Sequence, residues 1–343
     1  MILPKCDVPV GDLTSANPLM IYEAGPSAAA RLLTKTTRLC LRNTLTAGCR
    51  AAALPWPYGA IEKAASLVPS VARRAAVRLP HVTAQLICAP GVVDQGERVI
   101  LYCHGGAFLV CGPNTHGDLI TRLSRVSNGP ILAPDYRMLP KHSIGDAVAD
   151  CMDAYHHLRE TYEPHQITLA GDSAGGYLAL TVADLIATFL CETPAALVMF
   201  SPLLELDPAG KKAHPNIACD AMFGSEAFDA LHFLIRRSTK GGVLHEPLES
   251  LSPYLPPVLI HVSGQEALLH DTFLASSRLA DVGVPVEVHV WPGQIHVFQI
   301  AASFVPEARR SLSQVGRFIK AKTTESRKCH EHNLTLRTGT VGY

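Results

Sequence analysis

The strongest chemical signal in the chain is the pentapeptide Gly171-Asp172-Ser173-Ala174-Gly175, which has G-x-S-x-G spacing. A serine hydroxyl is a poor nucleophile at neutral pH and attacks a carbonyl only when a neighbouring base takes its proton. At the tip of a sharp strand-to-helix turn its oxygen is presented to a reactant. The backbone there is tight on both flanks, which is the mechanical reason for two glycines. An apolar, β-branched run at 167–170 precedes the turn and a helical pattern at 174–190 follows it. The start of that helix favours nearby negative charge.

A second signal, His104-Gly105-Gly106-Ala107-Phe108, directly follows the apolar run at 99–103. Residues without side chains let backbone N–H groups face a bound oxygen. Donors aimed at the oxyanion of a tetrahedral intermediate contribute roughly 3–4 kcal/mol each. Gly105 and Gly106 are the expected donors, and Ala174 supplies a third N–H just after the serine. Ala107, at the fourth position, lies beyond both expected donors. His104 is expected to tie the loop down by hydrogen bonds, not to act as a base. The same residues would also make an ordinary tight turn, but their place at a strand exit favours the chemical reading.

A nucleophilic serine needs a base and a carboxylate that orients it. Of sixteen histidines, His296 stands in a loop after the strand-like run 286–290, on the same edge as Ser173. His261 and His289 fall within strand-like runs and are expected to be packed or to face away. His270 is the nearest competitor, at the start of a helix. After the run 258–262, Glu266 sits at the strand exit, within reach of the distal nitrogen of His296. Asp271 lies five residues further on, where a capping or salt-bridging role is more natural, so Glu266 is preferred. The resulting order, Ser173, Glu266, His296, is the one expected of an α/β-hydrolase.

The positioning elements come from the hydrophobic pattern. Strand-like runs at 82–88, 99–103, 130–133, 167–170, 197–200, 258–262 and 286–290 alternate with helical patterns at 114–127, 144–161, 174–190, 272–282 and 306–320. Such alternation predicts an α/β domain with a mostly parallel central sheet flanked by helices. The stretch 207–257 is too long for a plain connection and carries its own helical pattern at 225–237. The predicted organisation is a helical cap segment at 1–80, core at 81–206, a cap insertion at 207–256, core again at 257–321, and a mobile polar tail at 322–343. Within 1–80, Pro55, Trp56 and Pro57 separate two helical stretches, the second at 58–79.

Composition bounds the function. The 343 residues are 48% apolar and 17% charged, enough to bury a large core, and 30 basic residues balance 30 acidic ones. That balance removes the electrostatic case for a general nucleic-acid binder. Residues 1–80 hold ten basic and four acidic side chains, and Arg31, Lys35, Arg38 and Arg42 recur at helical spacing. Their stripe is expected to be a solvated face of a packed helix, with weak membrane-surface contact as the sharper alternative. The first twenty residues have neither the basic start nor the apolar stretch of a secretion signal, and no apolar run approaches ~20 residues, so an intracellular, cytoplasmic setting is expected. Ten cysteines show no CxxC pair, so free thiols and no metal site are expected.

Together, His104–Phe108, Asp135-Tyr136-Arg137 with Pro140, the GDSAGG run, the G-x-E-x-L segment at 264–268 and PGQIHVF at 292–298 make the chain resemble the hormone-sensitive-lipase-like family of α/β-hydrolases. The resemblance spans residues 81–320. It implies a carboxylic-ester hydrolase acting on short- to medium-chain acyl esters, without a cofactor, under a helical cap. The triad acid of that family is most often Asp followed by Leu two residues later, where this chain has Glu266 and Leu268. Asp135, Arg137 and Asp172 are expected to be supporting groups. A binding protein on the same scaffold, like the plant gibberellin receptors that resemble this family and lack a complete triad, is the contrasting reading; an amidase or lactonase would use the same triad.

Overall fold

The computed structural model describes residues 17–50, 59–67, 70–239 and 245–338. The break at Pro55, Trp56 and Pro57 lies outside them.

The chain opens with β1 (Leu19–Tyr22), followed by α1 (Ala28–Thr36) and α2 (Arg42–Arg50), which are joined through a wider helical turn at Thr37–Leu41. The short α3 (Ala60–Ala65) leads to the strands β2 (Arg73–Arg78), β3 (Thr83–Cys88) and β4 (Val99–Cys103). Then come α4 (Gly117–Ser127), β5 (Ile131–Pro134), α5 (Ile144–Arg159), β6 (Ile167–Asp172), α6 (Ala174–Leu185) and β7 (Ala196–Phe200). After β7 lie α7 (Ala209–Ala213) and α8 (Ser225–Ser238), and β8 (Val258–Ser263), α9 (Leu269–Asp281), β9 (Val286–Trp291) and α10 (Pro306–Thr338) complete the order.

The strands form one nine-stranded sheet in the order β1-β9-β8-β7-β6-β4-β5-β3-β2. From β1 to β5 every neighbouring pair is parallel, and β3 and β2 close one edge antiparallel. This is an α/β-hydrolase fold. All residues of β4, β6, β7 and β8 are buried, as a parallel sheet covered on both faces requires. One face packs on α5, α6 and α9 through residues such as Tyr155, Leu178 and Leu279. The other packs on α4 and α10 through Leu123, Leu312 and Ile319.

Three segments differ from expectation. Residues 73–78 pair with β3 as an edge strand instead of continuing a helix over 58–79. Arginine and alanine favour helices, but Ala75 and Val77 occupy pairing positions opposite Leu86 and Ala84, and sheet pairing overrides local preference. With β1 paired to β9 at the other edge, the first eighty residues are not purely a helical cap segment. The tail is not a loose end up to residue 338, because α10 continues through 322–338. No glycine or proline interrupts 317–338, and Arg327 reaches Glu97 at 3.2 Å.

The N-terminal helices pack against the insertion. Arg38 donates to the carbonyls of Ala218 and Cys219, and Arg42 to those of Ile217 and Asp220. Arg31 donates to the Pro26 carbonyl, so most of the basic stripe is engaged by backbone. Eight described cysteines are free thiols, but Cys191 is disulfide-bonded, unlike the expectation for all ten. No described helix is long and apolar enough to cross a membrane.

Candidate active site

Parallel strands place their C-terminal ends on one edge, and the residues of interest follow β4, β6, β7, β8 and β9 there. Ser173 turns directly out of β6 with φ +52° and ψ −122°, a conformation costing a non-glycine residue about 1–3 kcal/mol. The flanking glycines are required by contact. A Cβ on Gly171 would lie 2.2 Å from the Gly175 carbonyl, and one on Gly175 would lie 2.0 Å from the Cys103 carbonyl. The elbow is held by Ser173 N–H donating to Phe200 O at 2.9 Å and Leu203 N–H donating to Ser173 O at 3.0 Å.

The loop after β4 is anchored by Asp172. Its Oδ1 accepts from Tyr102 Oη at 2.7 Å and from Gly105 N–H at 2.9 Å, and its Oδ2 lies 3.2 Å from His116 Nε2. Burial would raise the Asp172 pKa, but His116 and the hydrogen bonds outweigh it and hold the carboxyl below its ordinary range. Gly105 is therefore not an available oxyanion donor, a correction to the sequence reading: its N–H is already committed to Asp172. Among the described residues the N–H groups of Gly106 and Ala107 have no hydrogen-bond partner. Gly106 has φ +116°, and a Cβ there would meet Val110 O at 2.0 Å; Ala107 follows at φ +56°. His104 donates from Nδ1 to Gly105 O at 2.8 Å and stacks on Tyr136 at 4.2 Å, while its carbonyl accepts from Tyr136 Oη at 2.6 Å. Burial pulls its pKa to about 4, so it stays neutral near pH 7, as a loop anchor should.

Glu266 and His296 meet. His296 Nδ1 lies 2.5 Å from Glu266 Oε2, while Oε1 accepts from Ser201 Oγ at 2.6 Å and Ser263 N–H at 2.7 Å. Ser201 Oγ also accepts from Val297 N–H at 3.2 Å, so one hydroxyl ties acid and base loops together beside the elbow. Burial would lower the His296 pKa, but Glu266, aided by Asp220 and Asp172, raises it above its ordinary value. The Phe223 ring lies edge-on to the imidazole at 5.0 Å. Among the described residues no hydrogen bond joins Ser173 Oγ to His296; contacts of this kind often tighten only when substrate is bound.

The competing residues lie elsewhere. Asp271 is fully buried, accepts from the N–H groups of Leu204 and Glu205, and pairs with Lys211 Nζ at 3.3 Å. His270 pairs with Glu205. His261 bonds Ser311 and Trp291, and His289 lies between Glu23 and Glu287. Arg137 clamps Asp150 through both Nε and Nη2. Asp271→Ala should therefore lower stability by about 3 kcal/mol, because it leaves the buried Lys211 with only Glu205, at 3.8 Å, as a charge partner and strips the Leu204 and Glu205 N–H groups of their acceptor. The protein that still folds should keep its kcat, checked by thermal melting together with ester kinetics.

Among the described residues, two carboxylate–histidine groups have metal-like spacing, Glu205–His270–Asp271 and His81–Asp150–Asp153. In the first, the Lys211 ammonium bonds the Glu205 and Asp207 carbonyls and Asp271. In the second, Asp150 is occupied by Arg137. Sequence reasoning missed Ser201, His116 and Tyr102. Ser201 alone had a readable signal, since it directly follows a predicted strand on the active edge.

Comparison with known proteins gives the following likenesses. A family profile described as alpha/beta hydrolase fold matches residues 100–300. The chain is 53% identical over 297 residues to Esterase LipU of Mycobacterium tuberculosis, covering 83% of this chain and 100% of that protein. It is 48% identical over 323 residues to Carboxylesterase/phospholipase LipF of the same organism, covering 90% and 86% respectively. The crystal structure of an esterase from the bacterial hormone-sensitive lipase family matches with a TM-score of 0.69 at 26% identity, over 82% of this chain and 97% of that one.

Proposed function

We propose, from the premise that the chain belongs to the hormone-sensitive-lipase-like carboxylesterases of the alpha/beta-hydrolase-fold family and hydrolyses carboxylic esters, that it does so through Ser173, His296 and Glu266 and an acyl-enzyme. The observation carrying this reading is the contact of His296 Nδ1 with Glu266 at 2.5 Å, on the sheet edge where the strained Ser173 turns out of β6. His296 takes the Ser173 proton through its other nitrogen as the hydroxyl attacks the ester carbonyl. Glu266 holds the imidazole in that tautomer and stabilises its charged form. The oxyanion is received by the N–H groups of Gly106, Ala107 and Ala174. The alcohol leaves with the proton from His296, and water activated by the same imidazole then frees the acid.

In this reading the N-terminal helices and the insertion form the cap, supported by the Arg38 and Arg42 bonds to residues 217–220. The presence of all three triad residue types favours turnover over ligand binding alone. Phe223 stands against His296, with Phe228 6.0 Å from it, and together they make an aromatic wall beside the imidazole. Short- to medium-chain acyl esters are the substrates that the family resemblance implies. A series of p-nitrophenyl esters should give its highest kcat/KM between acetate and octanoate. An optimum at palmitate would contradict the substrate assignment.

A further inference from the structure

The insertion does more than cover the site: the geometry points to Asp220 as a positioning residue that couples closure of the cap to placement of the catalytic acid and base. This rests on the reading of Ser173, Glu266 and His296 above. Asp220 is 1% exposed, and its carboxylate divides between two loops. Oδ1 accepts from the N–H groups of Met222 and Phe223 at 2.7 and 2.9 Å, and Oδ2 accepts from Ala267 N–H at 2.9 Å. The first pair shapes the turn that sets Phe223 against His296. The second holds the residue directly after Glu266.

Two neighbours extend the connection. The backbone carbonyl of Asp220 accepts from Arg42 of α2. Asn216, whose carbonyl accepts from Asp220 N–H at 2.7 Å, donates from Nδ2 to the carbonyls of Gly264 and Glu266, both at 3.0 Å. A continuous path of hydrogen bonds thus runs from the N-terminal helix through the insertion to the acid loop. If the insertion swings away, the acid loop loses the three hydrogen bonds made by Asp220 and Asn216 and His296 loses its aromatic neighbour.

Asp220 also acts through charge. The carboxylates whose charge acts on His296 are Glu266, which bonds it, and, with smaller effect, Asp220 and Asp172, and the Phe223 ring lies edge-on to the imidazole. All three carboxylates favour the protonated imidazole, so removing one moves the acidic limb of activity to lower pH. A purely structural residue would leave that limb in place.

The test is Asp220→Asn, which preserves size but sets an amide N–H₂ or an uncharged oxygen where the carboxylate stood. With p-nitrophenyl butyrate, kcat/KM should fall about tenfold, since small displacements of a catalytic group cost that much or more. The acidic limb of the kcat/KM profile should move to lower pH. Melting confirms folding, and Asp220→Ser, which keeps one acceptor for the Phe223 turn, replaces the first variant if that one does not fold. An acidic limb that stays in place overturns the proposal, whether or not kcat/KM falls. A fluorophosphonate that forms an ester with the serine oxygen, displacing fluoride, separates the two layers. Labelling of Ser173 with an unmoved limb sinks this inference alone, and failure to label Ser173 in the wild type sinks the reading beneath it.

Discussion

Ser173→Ala should reduce kcat for p-nitrophenyl butyrate by on the order of 10⁶-fold, the scale seen when a nucleophilic serine is removed from a working triad. The fold should be untouched, because the Ser173 contacts that hold the elbow are all main-chain: N–H to Phe200 O, and the carbonyl to Leu203 N–H and Gly176 N–H. Alanine retains each of them and removes an oxygen that bonds nothing among the described residues. Thermal melting should therefore match the wild type within experimental scatter while hydrolysis disappears. Retention of most activity by a folded variant would mean that another group attacks the ester.

Glu266→Gln should cost about 10⁴-fold in kcat, the effect of neutralising the orienting acid where the geometry is kept. The amide still reaches Ser201 Oγ and Ser263 N–H, so the loop stays in place. What disappears is the charge that outweighs burial at His296. A base works only when neutral, so wild-type activity falls as pH drops through the raised imidazole pKa. In the variant that limb should shift to lower pH, because burial then acts with less opposition. Asp271→Ala supplies the contrast: stability falls and the limb does not move. If the two variants exchanged behaviours, Asp271 would be the acid.

The readable features in the chain were those that physics ties to local sequence. Gly171 and Gly175 are required by carbonyls about 2 Å from any added Cβ, so the motif announces the elbow without a structure. The order of strands and helices from residue 82 onward follows from hydrophobic period alone, and it brings Ser173, Glu266 and His296 to one edge. That Glu266 and not Asp271 lies beside His296 follows from one sitting at a strand exit and the other within the next helix.

The unreadable features depend on which partner a group finds in space. Gly105 and Gly106 are the expected donors on paper; Asp172, 67 residues away in sequence, claims the N–H of Gly105. Arg73–Arg78 has helical composition and becomes an edge strand only because β3 offers a free side. Ser201 is marked only by following a predicted strand on the active edge; that its hydroxyl sits between Glu266 and Val297 depends on the fold. Asp220 is one carboxylate in a long insertion, and nothing in its neighbours' types marks it as joining the acid loop to Phe223.

The most direct test is to mix enzyme with p-nitrophenyl butyrate, quench in acid within milliseconds, and map the digested peptides by mass spectrometry. The account requires a butyryl group on the peptide carrying Ser173, formed in a burst of one p-nitrophenolate per enzyme and absent from Ser173→Ala. A butyryl adduct on a different residue, or wild-type turnover with no acylated serine at any time point, would contradict it.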